Sequence, residues 1–315
     1  MMDYDVFNGD ADGICGILQL RLHNPRKSTL ITGVKRDVQL LEQVDSARNI
    51  TVVDIAMSAN TEPLQRLLDA GSRVEWFDHH FAGNIPEHSN LTPHIDTSPE
   101  VCSSVIIDKA LGGTFRHWAV VAAFGDNLIA TAKTLAKSLG LTTSTRDSYQ
   151  ELGQCINYNA YGNTLDDLTV KPADLLSELE AAKTPLQFLQ EFDTFPRIKH
   201  QMKDDLTRAE SLTIENTSKR VRTVLLPDGA WSRRVLGTYA NTLSQSHPDH
   251  AHVLLSKTGG RYVASLRAPI NEPFGVHEVA RLFTTGGGRE ASAGVNALAE
   301  DDISKLLVEM EKRYG

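Results

Sequence analysis

The 315-residue chain contains few cysteines, few aromatic residues and no long apolar run. Its three cysteines are scattered, which argues against both a disulfide framework and a zinc site. No apolar run reaches the ~20 residues needed to span a bilayer. The first residues, MMDYD, lack the basic and apolar segments of a signal peptide. We therefore expect a cytoplasmic protein that has no membrane partner.

An excess of positive charge is also missing. The formal net charge is −8, which argues against broad binding to long nucleic acid, because many phosphates would have to be neutralised. Residues 1–215 carry 19 Lys and Arg against 30 Asp and Glu, whereas residues 216–315 carry 13 against 10. An acidic first part is suited to hold cations, and a basic last part is suited to hold an anion. Chance surface variation is the open alternative.

Apolar β-branched runs alternate with helical patterns in the first part of the chain, which predicts a parallel sheet with helices on both faces. Residues 136–215 show helical periodicity and predict a helical linker. The predicted strands lie in YDVFN, STLITGV, NITVVDIA and SRVEWFDHH, and the predicted helices lie at 13–22, in DVQLLEQV and in NTEPLQRLLDAG, with Asn60 as the N-cap of the last.

Acidic and histidine side chains follow the apolar runs of this first part. Ligands of parallel sheets bind outside the carboxyl ends of the strands, so we expect these side chains to share one edge. A single Asp after a strand is usually a helix cap, but four such places in one domain favour a cation site. Asp and His ligands suit Mn²⁺, Mg²⁺ or Fe²⁺. The residues are Asp10 and Asp12 after the first strand, Asp54 in TVVD, Asp78 to His80 in VEWFDHH, and Asp126 after WAVVAAFG.

Four stretches, NGDADG (8–13), VVDIA (52–56), FDHH (77–80) and FGDN (124–127), resemble the DHH phosphoesterase superfamily in order and spacing. The resemblance implies a five-stranded parallel sheet flanked by helices, carrying two divalent cations, Mn²⁺ first and Mg²⁺ as the alternative. Two such metals clamp the attacking and leaving oxygens of a phosphoryl displacement and activate a water. The implied metal ligands are Asp10, Asp12, Asp54, His79 and Asp126, with Asp54 bridging the two metals, and the implied catalytic residues are His79, His80 and Asp54.

Asn8 departs from the family pattern, because related proteins usually have an acid there. It either serves as a neutral oxygen ligand or leaves a position open for water.

TTGGGREASAGV (284–295) resembles the glycine-rich signature of the DHH-associated C-terminal domain. Arg289 replaces the histidine that commonly follows the three glycines. Successive glycines let backbone N–H groups approach an anion, and REASAGV could open a helix. For a glycine-rich loop taken alone, a plain turn is the favoured interpretation. Arg267, at the end of YVASLRAP, stands where the family binds substrate phosphate. The implied substrate-binding residues are Arg267, Gly286, Gly287, Gly288 and Arg289.

The patterns predict two blocks joined by a helical linker over residues 136–215. The resemblance implies that the first block, 1–135, is a DHH domain and that the second, 216–315, is a smaller α/β domain with a mixed sheet. The resemblance implies a metal-dependent phosphodiesterase of very short linear oligoribonucleotides, especially dinucleotides such as pGpG. Four alternatives stay open: a cyclic-dinucleotide hydrolase, a 3′-phosphoadenosine 5′-phosphate hydrolase, an exopolyphosphatase and a non-catalytic nucleotide- or RNA-binding protein. The expected partner is a short RNA, with a second copy in a homodimer as a further option.

Overall fold

A computed structural model describes residues 2–315. Residues up to Lys199 form one compact unit, and His200–Gly315 form another. The predicted three-part division at residues 135 and 215 stays a prediction. Within residues 2–315, no helix combines the length and apolar character that crossing a membrane requires.

The first unit contains a five-stranded, all-parallel sheet in the order β2-β1-β3-β4-β5, which confirms the predicted fold class. β2 lies on one side of β1, and β3 lies on the other side. The direction in which the chain adds strands therefore reverses between β1 and β3. Such a switch point opens a crevice at the carboxyl ends of the strands. The strands are β1 (Tyr4–Phe7), β2 (Thr29–Thr32), β3 (Asn49–Val53), β4 (Arg73–Asp78) and β5 (Leu91–Ile95).

The helices of the first unit cover its sheet. Leu64, Leu67 and Leu68 pack with strand residues such as Val52 and Trp76 into one buried cluster. The helices are α1 (Ala11–His23), α2 (Thr61–Asp69), α3 (Ser103–Ala110), α4 (Arg116–Gly125), α5 (Ile129–Ser138), α6 (Thr143–Asn159), α7 (Pro172–Ala182), α8 (Pro185–Glu191) and α9 (Thr194–Glu210), the last of which includes the division between units; short 3₁₀ turns lie at Leu40–Gln43, Met57–Ala59 and Leu165–Asp167.

Two local expectations in this unit are wrong. The apolar run before Asp126 lies in α4 and is not a strand, because a short, fully buried apolar run does not reveal its periodicity; β5 is the fifth strand instead. DVQLLEQV forms only the 3₁₀ turn Leu40–Gln43. Asn60 is the N-cap residue of α2, as predicted, but its side chain makes no capping hydrogen bond. Its amide instead accepts from the Leu41 N–H and donates to the Val38 carbonyl.

The second unit contains a six-stranded mixed sheet in the order β10-β11-β9-β8-β7-β6, as expected for this part. β7 and β8 are parallel, whereas the other neighbouring strands are antiparallel. The elements are β6 (Glu215–Asn216), β7 (Val221–Leu226), α10 (Ala230–Ser246), β8 (Ala251–Thr258), β9 (Arg261–Arg267), α11 (Val276–Ala280), β10 (Gly286–Arg289), β11 (Ser292–Leu298), the 3₁₀ turn Glu300–Asp302 and α12 (Ile303–Tyr314).

The glycine-rich stretch is an edge hairpin in this sheet. Gly286–Arg289 pairs antiparallel with Ser292–Val295, so REASAGV does not open a helix, and the favoured turn lies at residues 290–291. Pairing with β9 on the other side of β11 supplies hydrogen bonds that a short helix here could not replace.

Candidate functional site

Backbone hydrogen bonds tie the carboxyl ends of the central strands together. The N–H of Asn8, just after β1, donates to the Val53 carbonyl at 3.3 Å, and the N–H of Asp54, just after β3, donates to the Phe77 carbonyl at 2.9 Å. These bonds bring the turns after β1, β3 and β4 to one edge of the sheet. The predicted site residues on these turns therefore come together.

Asp10 caps α1. Its Oδ1 accepts the N–H groups of Asp12 and Gly13 at 2.9 and 3.1 Å, and its Oδ2 forms an ion pair with the Lys35 ammonium. Burial alone raises the pKa of the Asp10 carboxyl, but Lys35 and these hydrogen bonds outweigh it and lower the pKa to about 2. The Asp10 charge in turn raises the pKa of Lys35 against the opposing effect of burial.

Asp12 anchors the start of α3. Its two carboxylate oxygens each accept an N–H at 2.7 Å, from Ser103 and from Ser104. The N-terminus of a helix favours negative charge, so these two N–H groups fix the position of the Asp12 carboxylate at the start of α3. The Asp12 carboxylate lies 4.0 Å from His79 Nε2.

Asp54 is a buried carboxyl with a left-handed backbone, at φ 58°. Burial raises its pKa well above the usual value, and the charges of Asp10, Asp12, Asp78 and Asp126 raise it further. Such repulsion among buried carboxylates is relieved by a proton or by a metal cation.

His79 and His80 follow β4 and face Asp54. His79 Nδ1 lies 3.1 Å from the Val101 carbonyl, which fixes the tautomer that leaves Nε2 for a metal, and Nε2 is 3.5 Å from Asp54 Oδ1. His80 Nδ1 lies 2.8 Å from Asp78 Oδ1 and 3.8 Å from Asp54 Oδ1. The His80 side chain is 46% exposed, so its ring is accessible to a substrate.

Asp126 reaches the same region from a helix end. It is the C-cap of α4, followed by Asn127 at φ 62°, and the Leu128 N–H donates back to the Ala123 carbonyl at 2.7 Å. This is the Schellman arrangement that ends helices. The Asp126 charge contributes to the raised pKa of Asp54 and of Lys35, which places the carboxyl within electrostatic reach of both.

The buried Asn8 side chain stabilises the turn after β1. Its Oδ1 accepts the Asp10 N–H at 3.1 Å, and its Nδ2 donates to the Lys35 carbonyl at 3.1 Å. The side chain therefore holds the turn after β1 against the turn after β2. Its predicted role as a metal ligand stays a prediction.

Sequence reasoning missed Lys35. The residue follows the predicted strand STLITGV, so applying the same strand-end rule to β2 would have found it. Asp78 was noticed in the motif but was given no role, and the structure pairs it with His80.

The donor set fits a divalent cation beside Asp54. Among the described residues 2–315, one group of three brings ligand atoms within 4.8 Å of one another: Asp54, His79 and His80. Asp78 Oδ2 is buried and has no hydrogen-bond partner among those residues. Imidazole nitrogens with carboxylate oxygens suit Mn²⁺ or Fe²⁺ and do not require a thiolate. The carboxylates of Asp10, Asp12 and Asp126 lie near this group, but they are not among the residues whose ligand atoms are all within 4.8 Å of one another.

Two arginines share one row of the second sheet. Arg267 pairs with Ser292, which pairs with Arg289, and directly paired residues point to the same face. Arg267 Nε donates to Asn241 Oδ1 of α10 at 2.9 Å, so the row lies on the α10 face. The adjacent row on the same face consists of the paired residues Ser265, Gly294 and Gly287. We call the surface formed by these two rows the arginine shelf; its residues are Arg267, Ser292, Arg289, Ser265, Gly294 and Gly287.

Only two of the three predicted glycines are required by the fold itself. A Cβ at Gly286 would meet the Ala280 carbonyl at 1.7 Å, and Gly288 has φ +140° with Ala293 Cα 2.5 Å from its would-be Cβ. A Cβ at Gly287 would meet nothing within 4 Å. Because Gly287 has no side chain, its backbone is accessible to a ligand on this face of the sheet.

The arginines of the shelf differ in their surroundings. Arg267 is half-buried and also donates to Ser265 Oγ and the Leu266 carbonyl, both at 3.0 Å. Arg289 is exposed at the end of β10. Arg267 is thus held in place by its own unit, while Arg289 lies at the accessible edge.

Solved structures share this fold. A structure of exonuclease RecJ bound to manganese matches with a TM-score of 0.62 and 16% identity, over 99% of this chain and 89% of that one. RecJ from Thermus thermophilus in complex with Mn²⁺ matches at 0.66 and 17%, over 99% of this chain and 52% of that one. The pGpG-specific phosphodiesterase PggH from Vibrio cholerae matches at 0.52 and 15%, over 100% of both chains. No family model and no curated protein sequence matches the chain significantly.

Proposed function

Because the chain has the fold of the DHH phosphoesterase superfamily, we propose that it is a metal-dependent phosphodiesterase that hydrolyses very short linear oligoribonucleotides, especially dinucleotides such as pGpG, in the cytoplasm. The observation that carries this proposal is the Asp54, His79 and His80 group at the carboxyl edge of the parallel sheet. PggH, with which the chain shares its fold over 100% of both chains, is described as pGpG-specific.

The chemistry that we propose divides among a few side chains. A bound divalent cation, Mn²⁺ by preference, lowers the pKa of water and polarises the P–O bond. Asp54 and His79 would hold that cation, and the Val101 carbonyl fixes the orientation of the His79 ring. Asp78 orients the His80 imidazole, which then contacts the scissile phosphate from its exposed side.

Substrate recognition is proposed for the arginine shelf and for Phe81. A guanidinium can grip a phosphate through two parallel hydrogen bonds, and Arg289 is the exposed guanidinium of the shelf. Phe81 directly follows His80, and its side chain is 79% exposed. An exposed aromatic ring beside the site is suited to stack on a nucleobase, which favours a nucleotide substrate over polyphosphate.

The decisive experiment is a substrate panel. The protein with Mn²⁺ is incubated with di- to heptanucleotides, a twenty-mer RNA, cyclic dinucleotides, 3′-phosphoadenosine 5′-phosphate and polyphosphate, and the products are resolved by chromatography. We expect the highest turnover on dinucleotides and a steep fall with length. Equal rates on a dinucleotide and the twenty-mer would contradict the proposal, and so would turnover of polyphosphate alone or no turnover at all.

Replacing Phe81 by Ala is expected to reduce kcat/KM for pGpG by roughly five- to thirtyfold. This corresponds to about 1–2 kcal/mol for one lost base stack. Ile85→Ala is the matched control, because it removes another exposed apolar side chain from the same loop. If Phe81→Ala and Ile85→Ala behave alike in steady-state assays, Phe81 does not stack on the substrate.

A further inference from the structure

The Lys35 side chain places a positive charge beside Asp10, one of the metal ligands that the resemblance implies. The Lys35 ammonium pairs with Asp10 Oδ2 and donates to Asn157 Oδ1 at 2.9 Å. Its side chain is 26% exposed, and that of Asp10 is 4% exposed. The ammonium therefore lies between the N-cap residue of α1 and the last turn of α6.

The acceptor positions of Asp10 are largely used. Oδ1 takes two N–H groups from α1, and Oδ2 takes Lys35. A metal ion at Asp10 would have to displace the ammonium or lie directly beside it, and two neighbouring cations repel each other.

The neighbouring residue adds no negative charge. Asn8 stands where the DHH pattern has an acid, and its amide oxygen already accepts the Asp10 N–H. Asp10 and Lys35 together are neutral, so little electrostatic attraction remains for a divalent ion on this side. Asp54, in contrast, has Asp10, Asp12, Asp78 and Asp126 within electrostatic reach, and His79 Nε2 lies 3.5 Å from its Oδ1.

We propose that the Lys35 ammonium takes the place of one of the two divalent cations implied by the DHH resemblance, so that the chain binds a single divalent cation, at Asp54 and His79. The residues at Asp10 do not fit a second metal. Within the proposed phosphodiesterase function, on which this last point rests, Lys35 supplies the second positive charge that faces the substrate phosphate.

Counting metals tests this without substrate. Wild-type chain loaded with Mn²⁺ and freed of excess by gel filtration should retain one Mn per chain by elemental analysis, with the electron paramagnetic resonance spectrum of an isolated ion. Lys35→Met, which keeps the length of the side chain but removes its charge, should retain two and show exchange coupling between them. Lys35→Arg should stay at one.

Arg36→Met is the matched control. Arg36 is the adjacent cation and lies over the Tyr161 ring, 5.8 Å from its centroid, so its removal should leave one Mn per chain. Circular dichroism checks that every variant is folded.

Three results would overturn the inference: two Mn in the wild type, one Mn in Lys35→Met, or a second Mn gained equally by Arg36→Met. The metal count is independent of turnover. A chain that holds one Mn but cleaves no substrate in the panel would refute the proposed function and leave this inference standing.

Discussion

Asp54→Asn is expected to lower kcat on dinucleotides by at least about a thousandfold. Asp54 is the carboxylate of the candidate metal group. Losing its charge should remove several kcal/mol of transition-state stabilisation through the metal, and ~1.4 kcal/mol corresponds to a tenfold change in rate. Asn is a better replacement than Ala, because Asn tolerates the left-handed backbone found at φ 58°. Near-normal turnover by metal-loaded Asp54→Asn would refute the assignment of this site.

The same substitution is expected to stabilise the metal-free protein at neutral pH. The folded-state pKa of Asp54 is raised by burial and by neighbouring carboxylates. Its contribution to stability is therefore full below the unfolded pKa of about 3.9 and is lost as pH rises through the folded pKa. Asn does not undergo this loss.

Urea unfolding of the metal-free proteins across a pH series measures the difference, which should grow with pH. Asp45→Asn is the control, since Asp45 is exposed and its removal should change the free energy of unfolding little. A metal-free Asp54→Asn that is less stable than wild type at pH 7 would show that the Asp54 charge is not repelled in the fold.

Arg289→Ala is expected to raise KM for pGpG strongly, with a smaller loss for GpG. We propose that Arg289 grips the terminal 5′-phosphate, and a charge-assisted hydrogen-bonded contact contributes roughly 1.5–3 kcal/mol, or about ten- to a hundredfold in affinity. Arg289→Lys should rescue only part of the loss, because an ammonium cannot form the bidentate fork. The measurement is kcat/KM on both substrates for wild type and variants.

Arg281→Ala is the control for this experiment, since Arg281 is an exposed arginine of the same unit that lies outside the arginine shelf. It should slow neither substrate. An equal loss on pGpG and GpG in Arg289→Ala would mean that Arg289 does not read the terminal phosphate.

Strand-to-helix alternation determined the fold class of the first unit. β3 is an apolar β-branched run, and β4 alternates exposed and buried residues before its apolar end, so the place of both strands could be predicted locally. The rule that ligands meet the carboxyl ends of parallel strands then predicted that Asp10, Asp54 and His79 share an edge, and they do. Their catalytic and metal-binding roles stay predictions.

What the local pattern could not predict depends on partners distant in the chain. The run before Asp126 is buried on all sides, which removes the periodicity that separates helix from strand, and only packing against the rest of the unit makes it α4. The glycine-rich stretch is a strand because β11 and β9 pair beside it.

The same holds for the cations of the site. The sequence by itself determined which acids and histidines follow strands β1, β3 and β4, because strand ends are local features, whereas Asp126 follows helix α4. Only the tertiary structure decided that Lys35, 25 residues from Asp10, neutralises that carboxylate, since the pairing depends on β2 lying beside β1 and on Asn157 of α6 reaching the same ammonium.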